Sequence, residues 1–232
     1  MLGALFAGQL NSGINTAYVM LHLALNPNWL NRVREEVALI ADRYALDTSL
    51  PLADRLIHIP LEAWDNELPT VDLCLRETIR LHMVGNTFRQ NTSGQDIPID
   101  KEGTEVIPKG AFATWSLGDA HWNPDIYLEP DRWDPGRYEA GRAEDKKQTH
   151  AYVGWGVARH PCLGMRFAKI ENNVIVAFFL AYFDDFSVVG RNGEAVDDLP
   201  PTDRNRSTAH KPRERVFLKY TTSGTQRPDA NS

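Results

Sequence analysis

The chain has 232 residues, 42% of them hydrophobic, and a formal net charge of −6. That apolar content suffices for one sizeable core, and the acidic balance argues against nucleic acid as a partner. Two cysteines, Cys74 and Cys162, exclude a disulfide framework and point to a reducing compartment.

Residues 1–25 contain no Asp, Glu, Lys or Arg and read as a long helix. A secretory signal is opposed by the lack of a basic start, since the first Arg is Arg32. A membrane span is opposed by Gln9, Asn11, Ser12, Asn15, Thr16 and His22, groups that are costly in lipid. A buried core helix is the expectation. Pro27 suits the first turn of a second helix with Asn26 as its cap. That helix, over residues 28–44, carries Trp29, Leu30, Val33, Val37 and Ile40 at helical spacing. Pro69 opens a third helix over 70–82.

From residue 87 the pattern changes. Short runs at 96–99, 105–107 and 111–115, bounded by Gly and Pro, read as strands. Residues 116–150, rich in Pro, Asp, Trp and Arg, read as an irregular meander. Residues 163–183 form a strong apolar helix, followed by strands at 186–189 and 216–220. Residues 221–232 read as a disordered tail. No repeat or linker divides residues 1–220, so the fold class is mainly α with small β-sheets (α+β).

The segment GWGVARHPCLGMRFAK carries the chemistry. Cys162 stands between a glycine-containing basic loop and a helix. A thiol ligates metal as a thiolate, and a helix start, Arg159 and Arg166 all favour negative charge. Backbone N–H groups of Leu163 and Gly164 are candidates to point at the sulfur. Gly154, Gly156 and Gly164 permit close backbone approach to a flat cofactor. Elsewhere Glu77 and Arg80, three apart on one helix, can pair.

These residues resemble the cytochrome P450 superfamily, haem-thiolate monooxygenases, of fungal type. The family's cysteine loop reads Phe-x-x-Gly-x-Arg/His-x-Cys-x-Gly. Here Trp155 stands at the Phe place, Ala158 at the first Gly and His160 at the basic place, while Cys162 and Gly164 match. If that backbone position needs positive φ, Ala158 is strained. Glu77-x-x-Arg80 matches the family's buried network, which an Arg from a Pro-x-Arg-x segment completes. Arg132, between Pro130 and Trp133, is assigned that role. EVIPKGAFA resembles the strand-turn-strand after that helix. Arg89 and His160 are the candidates for the haem propionates. On the first helix, Ala7-Gly8-Gln9-Leu10-Asn11-Ser12 resembles the family's distal segment. There Gly8 makes room for dioxygen, and an acid and a threonine relay protons. Leu10 and Asn11 replace that acid and threonine, which leaves Asn11 and Ser12 as the catalytic candidates and Ser12 and Thr16 as a rerouted water chain.

The resemblance implies the C-terminal half of the cytochrome P450 fold, from the distal long helix through the cysteine loop and the helix after it. It implies haem (heme b, iron protoporphyrin IX) with Cys162 as axial ligand, and electrons from NADPH through a flavoprotein reductase. That reductase would dock near Arg159, Arg166 and Lys169. The implied substrate is an apolar small molecule such as a sterol, terpenoid, polyketide or other secondary metabolite. Two alternatives remain: a hydroperoxide rearrangement catalyst or peroxygenase, and an inactive truncated haem-binding fragment. The missing N-terminal half is a further expected partner. Full-length relatives sit at the endoplasmic reticulum membrane, so a chain lacking their anchor is expected in the cytoplasm or associated with that membrane.

Overall fold

The computed structural model describes residues 2–206 and 208–223, with side-chain surroundings from Leu10 onward. Four helices build the core. α1 (Leu2–Leu25), α2 (Pro27–Tyr44) and α5 (Pro69–His82) meet α7 (Met165–Tyr182) around Val19, Leu23, Val33, Val37, Val71, Leu75, Ile79, Val176 and Leu180. Two short helices, α3 (Leu52–Leu56) and α4 (Leu61–Asn66), pack against α7. Prolines fill the first turns of α2 and α5, where the absent N–H is one that a helix leaves unpaired anyway. Asn26 stands at the cap position of α2, but its side chain does not cap. Its Nδ2 donates back to the His22 carbonyl at 2.8 Å, closing α1 instead. Among the described residues no helix is long and apolar enough to cross a membrane.

The strands form three antiparallel pairs. β1 (Asn86–Gln90) pairs with β4 (Phe112–Ser116), β2 (Ile97–Pro98) with β3 (Val106–Ile107), and β5 (Phe183–Val189) with β6 (Phe217–Thr222). An isolated two-stranded ribbon is marginal in water, so each needs a support. Val188 of β5 packs on Tyr18 and Leu21 of α1. The Asn91 amide donates to the carbonyls of Gln95, Ile107 and Pro108, fastening the β2–β3 hairpin to the end of β1. β6 reaches Thr222, so the expected disordered tail begins inside a strand; residues 224–232 lie outside the described residues. The meander is more ordered than its composition suggests. It holds a short helix, α6 (Leu117–His121), and two 3-10 turns, Pro135–Tyr138 and Glu144–Lys146.

Beneath these elements lies a buried charge network. Glu77 is fully buried and accepts both arms of the Arg80 guanidinium, from Nε and Nη2, at 2.8 Å each. Arg137 Nε donates to Glu77 Oε1 at 2.9 Å, the Asp134 N–H to the same oxygen at 3.0 Å, and the Tyr138 hydroxyl to Oε2 at 3.0 Å. Arg137 also holds Glu144 at 2.8 Å. Burial, then the charge of Glu77, pushes the Tyr138 hydroxyl well above its ordinary range, so it acts as a donor.

Arg132 is therefore not the third member of the network. Its side chain is exposed and pairs with Glu129 at 3.1 Å; only its carbonyl takes part, accepting from Arg80 and Arg137. The stretch EPDRWDPGRY contains two Pro-x-Arg-x segments. The second, Pro135-Gly136-Arg137-Tyr138, is the 3-10 turn that aims its arginine inward. Trp133 occupies the buried place beside the first, with its indole N–H on Thr78 at 3.0 Å.

A second buried polar link joins α1 to α5. His22 and His82 share an Nε2–Nε2 hydrogen bond of 2.7 Å, and His82 Nδ1 meets Thr202 Oγ1 at 2.7 Å. His22 stacks on Trp133 and His82 on Tyr18.

Removing one partner from a buried ion network strands a charge and costs about 3–5 kcal/mol. Arg137→Leu should lose that much in urea unfolding, whereas Arg132→Ala should change stability by no more than about 0.5 kcal/mol. Equal losses for both would return Arg132 to the network.

Burial lowers His22 and His121 to about 3, and burial followed by the neighbouring His22 lowers His82 well below its ordinary value. All three are neutral when folded and bind protons once unfolded below about pH 6.5. Stability should be complete above about pH 6.5 and decline as pH falls toward 3. Unfolding free energies at pH 7, 6, 5 and 4 check this; a flat profile contradicts it.

Candidate functional site

The cysteine loop hangs from the charge network by backbone hydrogen bonds. Arg80 Nη1 donates to the His121 carbonyl, and the Val153 N–H donates to His121 Nε2 at 3.0 Å. The Gly156 N–H then bonds the Val153 carbonyl at 2.9 Å, and the Cys162 N–H bonds the Trp155 carbonyl at 2.6 Å. Cys162 is exposed and unbridged, whereas Cys74 is buried in the core, where burial raises its thiol far above the ordinary range. Of the two, only Cys162 is placed to meet a ligand.

The glycines of the loop differ in purpose. Gly156 has φ +76°, and a Cβ there would lie 2.4 Å from the His160 carbonyl oxygen, so backbone on backbone leaves no room. A Cβ at Gly154 would meet Ile79 at 2.4 Å and the Tyr152 hydroxyl at 2.6 Å. That glycine serves packing on α5 and not approach to a cofactor. A Cβ at Gly164 meets nothing within 4 Å, so its side of the loop is open. Ala158 adopts φ +55°, the left-handed region in which a Cβ is crowded against the backbone.

The helix after the loop begins later than expected. Gly164 is its N-cap and Met165 its first residue, so Leu163 lies in the loop, fully exposed. Met165 and Phe167 are also exposed. Trp155, at the place of the family's aromatic residue, is partly buried against the core.

His160 is exposed on the loop. Arg89 is exposed on β1, donating to its neighbour's carbonyl, on the ribbon face that also carries Trp115. Both are exposed side chains able to donate to a carboxylate, on separate elements. The presumed reductase patch is largely engaged within the chain. Arg166 pairs with Asp65 at 2.5 Å and Lys169 with Asp72 at 2.7 Å, leaving Arg159 as the loop's exposed cation.

On α1, Ser12 is buried and Asn11 half-buried. Among the described residues, the Asn11 side-chain carbonyl oxygen is enclosed without a donor. Gly8 lies in the helix, but its surroundings fall outside the described residues.

The cytochrome P450 family model matches residues 1–198. The chain belongs to the cytochrome P450 family. It is 40% identical over 184 residues to the cytochrome P450 monooxygenase AacuE of Aspergillus aculeatus, covering 79% of this chain and 36% of that protein. It is 33% identical over 220 residues to the cytochrome P450 monooxygenase MYCFIDRAFT_204672 of Pseudocercospora fijiensis, covering 94% and 44%. An obtusifoliol 14-alpha demethylase of Triticum aestivum is 31% identical over 187 residues, covering 79% and 38%. The chain thus spans less than half the length of these curated relatives.

Membership in the family implies haem, and the residues fit it. An exposed thiol stands on a loop closed by its own backbone bonds, the Gly164 side is open, and the exposed Arg89 and His160 can donate to carboxylates. Sequence reasoning missed Arg137, which the second Pro-x-Arg-x segment signalled. It also missed His121 and Asn91, for which no local pattern gives notice.

Relieving the left-handed Ala158 should help the loop. Ala158→Gly is expected to raise stability by about 1 kcal/mol, read as a higher midpoint in thermal unfolding; a lower midpoint would show that Ala158 is unstrained.

Proposed function

We propose that this chain is the haem-ligating part of a monooxygenase, with Cys162 as the axial thiolate. The observation that carries the reading is the exposed Cys162 on a loop tied through His121 to the buried Glu77 network. A thiolate ligand makes bound haem iron suited to O–O cleavage and insertion of oxygen into an apolar substrate. The chain's own part would be to fix the sulfur on its loop and to meet carboxylates with Arg89 and His160. The fungal and sterol-demethylase relatives support a sterol, terpenoid, polyketide or other secondary metabolite as substrate. Electrons come from NADPH through a flavoprotein reductase, which meets Arg159 rather than the engaged Arg166 and Lys169. The rest of the pocket comes from polypeptide equivalent to the part of the relatives that this chain does not span. We place the protein in the cytoplasm or at the endoplasmic reticulum membrane.

Leu10 and Asn11, standing where the family's distal pattern has an acid and a threonine, favour a second reading: rearrangement of a lipid hydroperoxide, or peroxygenase chemistry, with neither reductase nor acid relay.

The test is the chain expressed with haem supplied, alone and together with the N-terminal part of the Aspergillus aculeatus relative. Reduced, carbon monoxide-treated protein should show the thiolate-type absorption band in at least one case, and Cys162→Ala should abolish it. No such band in either preparation rejects the haem-thiolate reading. Turnover of a lipid hydroperoxide without NADPH selects the second reading over the first.

A further inference from the structure

A cavity of about 790 Å³ lies where the C-terminal ends of α1 and α5 meet the meander and the segment 197–204. Its size suits a small molecule. Cys162, Arg89 and His160 do not line it. His22, which does, stands about 16 Å along the α1 axis from Asn11.

The hydrogen-bond chain at the floor of this cavity has one direction. The Leu81 carbonyl is in the last turn of α5, where carbonyls lack a helical donor, and it takes the Thr202 hydroxyl proton at 3.3 Å. Thr202 Oγ1 then accepts from His82 Nδ1 at 2.7 Å. His82 Nε2 is left as an acceptor, so His22 Nε2 donates to it at 2.7 Å. Both rings are neutral, because burial disfavours their charged forms. His22 therefore ends the chain with a lone pair on Nδ1. Among the described residues no donor meets that atom, and it is not one of the unpaired atoms sealed inside the protein. His22 is only 6% exposed and lines the cavity, so the lone pair opens into it.

The walls and rim narrow what could meet this acceptor. Trp122, Trp133, Leu25, Leu199 and Pro200 offer apolar surface for a flat body. At the rim Arg204 pairs with Asp131 and lies 4.2 Å over the Trp122 ring, and Arg132 pairs with Glu129. Asp197 and Asp198 are exposed and pair with no base among the described residues. The uncompensated charge is thus negative. A metal ion is disfavoured, since no group of three or more His, Cys, Asp or Glu among the described residues is arranged to hold one. Among the described residues the backbone of 197–204 makes no hydrogen bond to the rest of the chain. Thr202 and Arg204 hold it by their side chains, so it can part to admit a ligand.

We propose that this cavity binds a small aromatic amine, whose ring N–H or O–H donates to His22 Nδ1 and whose ammonium faces Asp197 and Asp198. The buried imidazole selects a donor, the indole walls select a flat ring and the rim selects positive charge. The site does not depend on haem ligation.

The experiment is calorimetric titration of the full chain with tryptamine and two relatives of it. Tryptamine should bind saturably at one site. 1-Methyltryptamine, which lacks the ring N–H, should bind about ten-fold more weakly, the loss of one hydrogen bond to a buried acceptor. Indole-3-acetate, with a carboxylate in place of the ammonium, should not bind measurably. His22→Phe keeps a ring against Trp133 and should bind the two amines alike. Asp197→Asn combined with Asp198→Asn should weaken tryptamine several-fold at low salt. Failure of tryptamine to saturate, equal affinity for the two amines in the parent chain, or binding of indole-3-acetate as tight as that of tryptamine overturns the proposal. So does loss of tryptamine binding when the N-terminal part of the Aspergillus aculeatus relative is added, because polypeptide is then the occupant. If His22→Phe does not fold, the comparison of the two amines in the parent chain still decides.

Discussion

A carboxylate with no solvent contact sets the terms of this fold. Glu77 is tolerable in the interior only because both of its oxygens are saturated. The Arg80 fork takes one position on each, Arg137 and the Asp134 backbone share Oε1, and the Tyr138 hydroxyl completes Oε2. The guanidiniums direct their remaining donors to the carbonyls of His121, Leu128 and Arg132 and to Glu144. Two acids and two bases then cancel. Helix α5, the meander and the Pro135–Tyr138 turn must all be in place together, because each alone would leave a buried charge exposed to the cost of desolvation.

The same network places the candidate site. His121 passes the position of α5 to Val153, and the loop from Val153 to Cys162 is closed by its own backbone bonds. His121 accepts at Nε2 and so is held neutral, in keeping with the lowered proton affinity that burial imposes. A loop over-determined in this way can keep an alanine at φ +55°, a conformation that persists only where the surroundings enforce it.

The helices were the most legible part of the sequence. Proline at the first turn and apolar residues at helical spacing locate α2 and α5 to within a residue, because both signals are local. Cys162 stood out as a ligand candidate through the resemblance of its loop to the family's, and the structure leaves it exposed. What could not be read depends on three-dimensional choice. Pro130 and Pro135 each introduce a Pro-x-Arg-x segment, and only the turn geometry selects Arg137. Gly154 looks like a cofactor glycine until Ile79 and Tyr152 are seen beside it. The start of α7 at Met165 moves Leu163 out of the helix, a shift of the size that helix termini commonly show. Arg166 and Lys169 look like a free basic patch, but Asp65 and Asp72, distant in sequence, neutralise them.

The two kinds of surface in this chain obey different rules. The charge network is satisfied entirely by residues within the chain, so its elements owe nothing to a partner. The site elements are the reverse. Cys162 and Leu163 on the loop and Phe167 on α7 are exposed, as are Phe88 and Phe112 on the ribbon face opposite Arg89. A frame that is complete and a face that is open are what ligation of a large flat cofactor requires. The sulfur must be fixed before the cofactor arrives, and the surface that will hold it must stay uncovered until then. The relatives are more than twice as long as the segment matched here. A network satisfied by its own residues and an exposed cysteine loop thus coexist in one polypeptide.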